Sequence, residues 1–335
     1  MTLKAFITGV AGPQLLDEEK TFLKEARPCG LIVFDRNIEN RDQLKRLVDE
    51  YREAVGSDRQ MILIDQEGGR IQRMRQPHWK KWPAGARYGE LYKRDPEAAK
   101  LAAKYIYQMM SEELVDVGIN VNCVPLLDIP VPGAHDIIGD RALSGDLETI
   151  IELGRCVAQG NLAGGVLPVI KHIPGHGRAT SDSHVALPTI DEKRAVLEQT
   201  DFKTFKALND LPLAMTGHLL MTDLDPEQNV SVSEQIISEV IRGWIGFDGL
   251  LMSDDLSMEA LSGTIGERAR DVVAAGCDVA LYCKGVYEQM IDVAACTPDL
   301  DGKARQRFDR ACEQIKSAVP YDRELAVKLL SRLQD

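Results

Sequence analysis

The sequence lacks any run of about 18 apolar residues, so no segment of its 335 residues is expected to span a membrane as a helix. It lacks a Cys-x-x-Cys pair. Its seven cysteines (Cys29, Cys123, Cys156, Cys277, Cys283, Cys296 and Cys312) are odd in number and scattered. That pattern points to neither a disulfide framework nor a thiolate zinc site, and it fits a reducing cytoplasm. Cationic residues are in the minority: 40 Lys and Arg stand against 52 Asp and Glu, a net charge of −12. Phosphate-backbone binding is driven by cationic side chains, so nucleic acid is not an expected partner. At the start of the chain a lone Lys4 and a short apolar run at 5–10 give way to Pro13 and Asp17-Glu18-Glu19-Lys20. This is too brief and too soon charged for a secretory signal, and a cytoplasmic location is expected. No repeat, low-complexity tract or Pro/Ser-rich linker is present. The 44% hydrophobic and 27% charged residues are those of an ordinary globular protein.

What the sequence has is alternation. Short apolar or β-branched runs occur at 5–10, 31–34, 61–65, 121–128, 166–172, 213–218, 250–254 and 279–283. Between them lie amphipathic stretches of helical period, such as the one opened by Asp95-Pro96-Glu97 and running toward Val117, and the one opened by Asp191-Glu192 and passing Leu197 and Phe205. Continuous runs such as Met61-Ile62-Leu63-Ile64 show no in/out alternation, as expected of strands buried on both faces. About eight strand–helix units without a composition break predict a single (β/α)₈ TIM-type barrel over 1–335, an α/β fold. A doubly wound sheet is the alternative. Residues 303–334 read as two helices, separated at Pro320-Tyr321, that close the outside.

Active sites of such barrels are built at the carboxyl ends of the strands, and here polar residues terminate five runs. The third ends in Asp65-Gln66-Glu67-Gly68-Gly69-Arg70, the fourth in Asp128, the fifth in Lys171-His172, the sixth in Gly217-His218 and the seventh in Ser253-Asp254-Asp255. Asp254 is placed for nucleophilic attack, while its neighbour Asp255 should face another way and cap or orient. Asp65, Lys171 and His172 offer acceptors and donors for sugar hydroxyls, and Arg73 and Arg141 can add planar forks, although an arginine is more often a solvated surface residue. The connection after the fifth run is long for a βα loop, and counted from Lys171-His172 to His184 it holds three of the six histidines. Within it Asp182 and His184 are two apart, so in extended chain they share a side and the carboxylate can orient the imidazole as an acid/base. A metallohydrolase competes, because His172, His176, Asp182, His184 and His218 include enough ligands. No His-x-His follows the first run and no His-Glu-x-x-His occurs.

These residues resemble glycoside hydrolase family 3, and within it the bacterial cytoplasmic β-N-acetylhexosaminidases of peptidoglycan recycling. The resemblance is carried by Gly30-Leu31-Ile32-Val33-Phe34 with Arg36-Asn37, by Asp65-Gln66-Glu67-Gly68-Gly69-Arg70-Ile71-Gln72-Arg73, and by Asp140-Arg141-Ala142. It is carried further by Lys171-His172-x-Pro-Gly-His176-Gly177, Asp182-Ser183-His184 and Ser253-Asp254-Asp255-Leu256-Ser257-Met258. It implies a retaining exo-hydrolase of terminal β-linked N-acetylglucosamine with muropeptide substrates and neither cofactor nor metal. The nucleophile falls on Asp254, the acid/base on His184 with Asp182, and sugar binding on Asp65, Arg73, Arg141, Lys171 and His172. Ile173 stands where an aromatic is usual, Arg178-Ala179-Thr180-Ser181 where an acidic residue often follows Gly177, and Leu143-Ser144-Gly145-Asp146 where Phe-Gly is common. A neutral histidine base repels an anionic acceptor less than a carboxylate does, so a glycoside phosphorylase on the same site is a further alternative.

Overall fold

The structure, a computed structural model, describes residues 2–57, 59–179, 181 and 187–334. Eight parallel strands close into a barrel: β1 (Lys4–Thr8), β2 (Pro28–Val33), β3 (Met61–Ile64), β4 (Val121–Asn122), β5 (Leu167–Ile173), β6 (Leu213–Thr216), β7 (Leu250–Asp255) and β8 (Val279–Tyr282). Each pairs with its neighbours in sequence, and β8 returns to β1 through Phe6 opposite Ala280 and Thr8 opposite Tyr282. The expected TIM-type barrel is borne out. Every residue of β2, β3, β6 and β8 is buried, which is why these strands read as unbroken apolar runs.

The fourth strand departs from expectation. Only Val121–Asn122 is regular, where a strand over 121–128 was expected, because Pro125 has no N–H to give to a ladder. The chain nevertheless stays beside β5: Lys171 donates its backbone N–H to the Pro125 carbonyl at 3.2 Å and Leu127 donates to the Lys171 carbonyl at 2.9 Å. This delivers Asp128 to the rim.

The helix Pro96–Asp116 forms where its start signal stands: Asp95 accepts the Ala98 N–H at 3.1 Å and Pro96 fits the first turn, where its missing N–H costs nothing. The stretch opened by Asp191-Glu192 instead divides into Arg194–Leu197 and Asp201–Ala207. Thr200 breaks it, with its hydroxyl turned back to the Val196 carbonyl at 2.8 Å. The break presents Asp201 and Thr200 to Arg178, as described below.

Near the end of the chain the helices Gly302–Cys312 and Arg323–Gln334 flank Pro320-Tyr321. Leu329, Leu330 and Leu333 of the second are buried, each contributing about 1.5–3 kcal/mol of apolar burial. Val319 just before it is tied in on both polar groups, donating to the Ala163 carbonyl at 2.9 Å and accepting from Gln108 at 2.6 Å. All seven cysteines are free thiols. No helix among the described residues is long and apolar enough to cross a membrane.

Candidate active site

β7 ends in two adjacent carboxylates with different employment. Asp255 is spent on structure: its carboxylate accepts the Ser257 and Cys283 backbone N–H groups, both at 3.0 Å, and the Ser257 hydroxyl. Asp254 accepts only the Asp255 N–H, at 2.8 Å, among the described residues, and it lines a cavity of about 320 Å³ at the barrel mouth. Ser253 braces this segment by accepting the Leu281 N–H at 3.0 Å and donating to the Asp254 carbonyl at 2.8 Å. Burial works against the charge on Asp254, but His172, His218 and Lys171 outweigh it and hold the carboxyl below the usual range.

Across the cavity three cations are laced by two acids. Lys171, on β5 and almost wholly buried, donates to Asp65 at 2.9 Å and lies 2.7 Å from Glu67. Arg141 grips Glu67 side-on, with Nε and Nη2 each 2.9 Å from a carboxylate oxygen. Arg73 completes the wall at 3.2 Å from Asp65, its guanidinium stacked over the Phe34 ring. Burial pushes Asp65 and Glu67 up, yet the facing cations win and both sit low. Burial likewise opposes the charge of Lys171 and Arg141, and the two carboxylates raise both above their ordinary values. This network binds charges at full strength because little water reaches it.

His172 adjoins Lys171 and is held by Asp128, which is wholly buried. Asp128 accepts the His172 backbone N–H at 3.2 Å and the His176 N–H at 2.7 Å, and stands 2.8 Å from His172 Nδ1. His218 lies between the Ser231 hydroxyl at 2.8 Å and the Asp255 carbonyl at 3.1 Å. A carbonyl only accepts, so the proton is on Nε2 and Nδ1 accepts from Ser231. Asp65, Arg73, Arg141, Lys171, His172 and Asp254 are thus brought to one cavity. Asp182 and His184 lie outside the described residues. Sequence reasoning gave no role to Glu67, Asp128 or Phe34, although the first two stand at strand ends it had singled out.

The chain leading toward Asp182 is firmly seated. Val131 and His135 donate backbone N–H groups to the Gly177 and Ala179 carbonyls, at 3.3 and 2.8 Å. Arg178 reaches Asp201 at 2.7 Å, Thr200 at 3.1 Å and Glu192 at 3.4 Å. Among the described residues no three His, Cys, Asp or Glu side chains converge on a metal-sized point. His172 and His218 spend ring nitrogens on the protein partners named above.

Comparison with known proteins places this geometry. Residues 6–318 match the model of the glycosyl hydrolase family 3 N terminal domain. The chain belongs to this family. Beta-hexosaminidases from Bordetella avium and Alkalilimnicola ehrlichii are 35% and 36% identical over 303 and 314 residues, which is 89% and 92% of this chain and 86% and 89% of theirs. NagZ from Neisseria gonorrhoeae, solved in complex with N-trifluoroacetyl-D-glucosamine, superposes with a TM-score of 0.89 at 28% identity, covering 100% of this chain and 99% of its own. The family 3 resemblance carried by the sequence motifs is borne out, and the chain is a glycoside hydrolase that groups with the β-hexosaminidases.

Proposed function

We propose that this family 3 enzyme is a retaining, exo-acting β-N-acetylglucosaminidase that removes the non-reducing terminal N-acetylglucosamine of peptidoglycan-derived muropeptides in the cytoplasm. The observation that carries the reading is Asp254: an ionised carboxylate with no side-chain partner among the described residues, facing a wall of fixed hydroxyl-binding groups. A cavity of about 320 Å³ is at the small end for ligand sites and suits one sugar ring, which favours attack at chain ends. The N-acylglucosamine bound by the Neisseria relative supports the sugar class.

In this mechanism Asp65, Lys171, Arg141, Arg73 and His172 hold the ring hydroxyls, and an Asp254 oxygen attacks the anomeric carbon. The bond to the leaving oxygen breaks as His184 gives that oxygen a proton, with Asp182 supporting the imidazolium. Neutral His184 then takes a proton from the water that displaces Asp254 and releases the sugar. Usual retaining enzymes use a second carboxyl for this role; a histidine paired with an aspartate serves here.

The test is release of aryl alcohol from an aryl N-acetyl-β-glucosaminide by protein treated with EDTA, with the aryl β-glucoside as control. Turnover of the first alone, with the β-anomer as first product by NMR, is expected. A first-formed α-anomer overturns the covalent route, and activity that only added metal restores overturns the metal-free site.

A further inference from the structure

Glu67 is not among the groups that line the cavity, yet it touches two that do. Its side chain is 5% exposed and its two oxygens make three contacts, two with Arg141 and one with Lys171. Its own backbone carbonyl is pinned by the Tyr107 hydroxyl at 2.8 Å, so the carboxylate projects from a fixed base. Arg141 comes from the connection after β4 and Lys171 from β5, and Glu67 is the one described carboxylate in contact with both. Removing it leaves, among the described residues, the Ile137 carbonyl at 2.9 Å as the one hydrogen-bond partner of the Arg141 guanidinium, and Asp65 as the one partner of the Lys171 ammonium.

We infer that Glu67 is a positioning residue: it sets the direction in which Arg141 and Lys171 present their remaining N–H groups to the sugar. An ammonium has three donors and a guanidinium five. Glu67 and Asp65 take two of the three on Lys171, so the third has one direction left. Glu67 and Ile137 take three of the five on Arg141, including the whole side-on edge, so the opposite edge turns outward. Without this bracing two long flexible side chains would have to be ordered by the substrate, at a cost in conformational entropy at each binding event. The role rests on the sugar-hydrolase reading of the site.

The test is a double-mutant cycle on the full chain with the aryl N-acetyl-β-glucosaminide. Glu67→Gln keeps the shape and loses the charge; Glu67→Asp keeps the charge and loses the reach. Both are expected to lower kcat/KM by about tenfold to a hundredfold, the scale of a misplacement near 1 Å. In the Arg141→Lys background Glu67→Gln is expected to cost clearly less than it costs the wild type, since part of its role runs through Arg141 and only the part through Lys171 remains. Losses that multiply, or full activity of Glu67→Asp, overturn the inference. A second readout needs neither turnover nor a folded variant: in the wild-type protein the Arg141 Nε–H resonance should resist solvent exchange far longer than that of an exposed arginine, and rapid exchange counts against the inference. Wild-type protein silent on the glycoside removes the sugar reading itself, whereas active wild type with unimpaired Glu67 variants removes only the role of Glu67.

Discussion

Asp128 Oδ2 stands 2.8 Å from His172 Nδ1, inside a site where the same carboxylate also receives the His172 and His176 backbone N–H groups. Burial works against the charge on Asp128, but His172 and His176 and these N–H donors keep it ionised, its pKa below the usual range. An ionised carboxylate only accepts, so Nδ1 carries a proton and Nε2 is left to the cavity. Asp128→Asn puts an amide N–H within reach of Nδ1 and favours the other tautomer. A fall in kcat/KM of roughly a hundredfold is expected, with nitrogen NMR showing the proton moved to Nε2. An unchanged tautomer with full activity would refute this.

Asp254 and Asp255 should part company under the same substitution. Asp254→Asn removes the proposed nucleophile from a carboxylate that supports little structure, so kcat should drop by roughly four orders of magnitude with N-acetylglucosamine still bound and the melting temperature nearly unchanged. Asp255→Asn disturbs the contacts to Ser257 and Cys283. It should lower stability by about 1–3 kcal/mol, read by denaturant unfolding. A stability loss at Asp254 as large as at Asp255 would reverse the assignment.

The barrel was legible because buried parallel strands leave an unmistakable mark: eight apolar runs, each within a few residues of an observed strand. Where legibility failed, a local competitor was at work. Pro125 curtailed the ladder at 121–128 without moving Asp128 from the rim, and the Thr200 hydroxyl split a helix whose apolar spacing runs through it. The single-residue clues at strand ends were enough to bring Asp65, Lys171, His172 and Asp254 together. Glu67 was not legible, since its value lies in bridging Arg141, 74 positions away, to Lys171, and sequence spacing carries no sign of that. Asp182 and His184 remain known from the sequence and from family resemblance.

The buried ionisable groups define how stability should vary with pH. His176 is pushed down to about 4 by burial and by neighbouring His172, and burial also lowers His218. The unfolded chain takes up these protons near pH 6.5 while the folded one does not, so stability should fall from about pH 6.5 downward, by about 1.4 kcal/mol per pH unit for each histidine. Asp65, Glu67, Asp128 and Asp254 all sit below their usual range, so what they contribute is complete above about pH 4 and is lost as the pH falls further, through their folded values. Denaturant midpoints between pH 7 and 3 should show both phases. His176→Gln should flatten the first by one proton; an unchanged slope would sink this account.

Gly177 packs against backbone where no side chain fits. A Cβ there would lie 2.0 Å from the Ile129 carbonyl oxygen and 2.3 Å from its carbon. Gly177→Ala must therefore push the 174–179 segment away from 129–135, breaking the Val131 to Gly177 bond. The expected result is a loss of about 1–3 kcal/mol, the usual scale of overpacking, and a further drop in activity beyond what that loss explains. Wild-type thermal stability in Gly177→Ala would show that the segment can shift freely.

At His184 leaving-group chemistry gives a direct reading of the proposed acid. An acid matters in proportion to how badly the departing oxygen needs a proton. A nitrophenolate leaves unaided, whereas a sugar alkoxide does not. His184→Ala should therefore slow a natural disaccharide far more than a nitrophenyl N-acetyl-β-glucosaminide, and with the second a glycosyl-enzyme on Asp254 should accumulate, because the water step has lost its base. Asp182→Asn, which weakens support for the imidazolium without removing it, should show the same pattern at smaller amplitude and shift the basic limb of the kcat/KM profile to lower pH. Equal slowing of both substrates in both variants would move the acid/base role to another group.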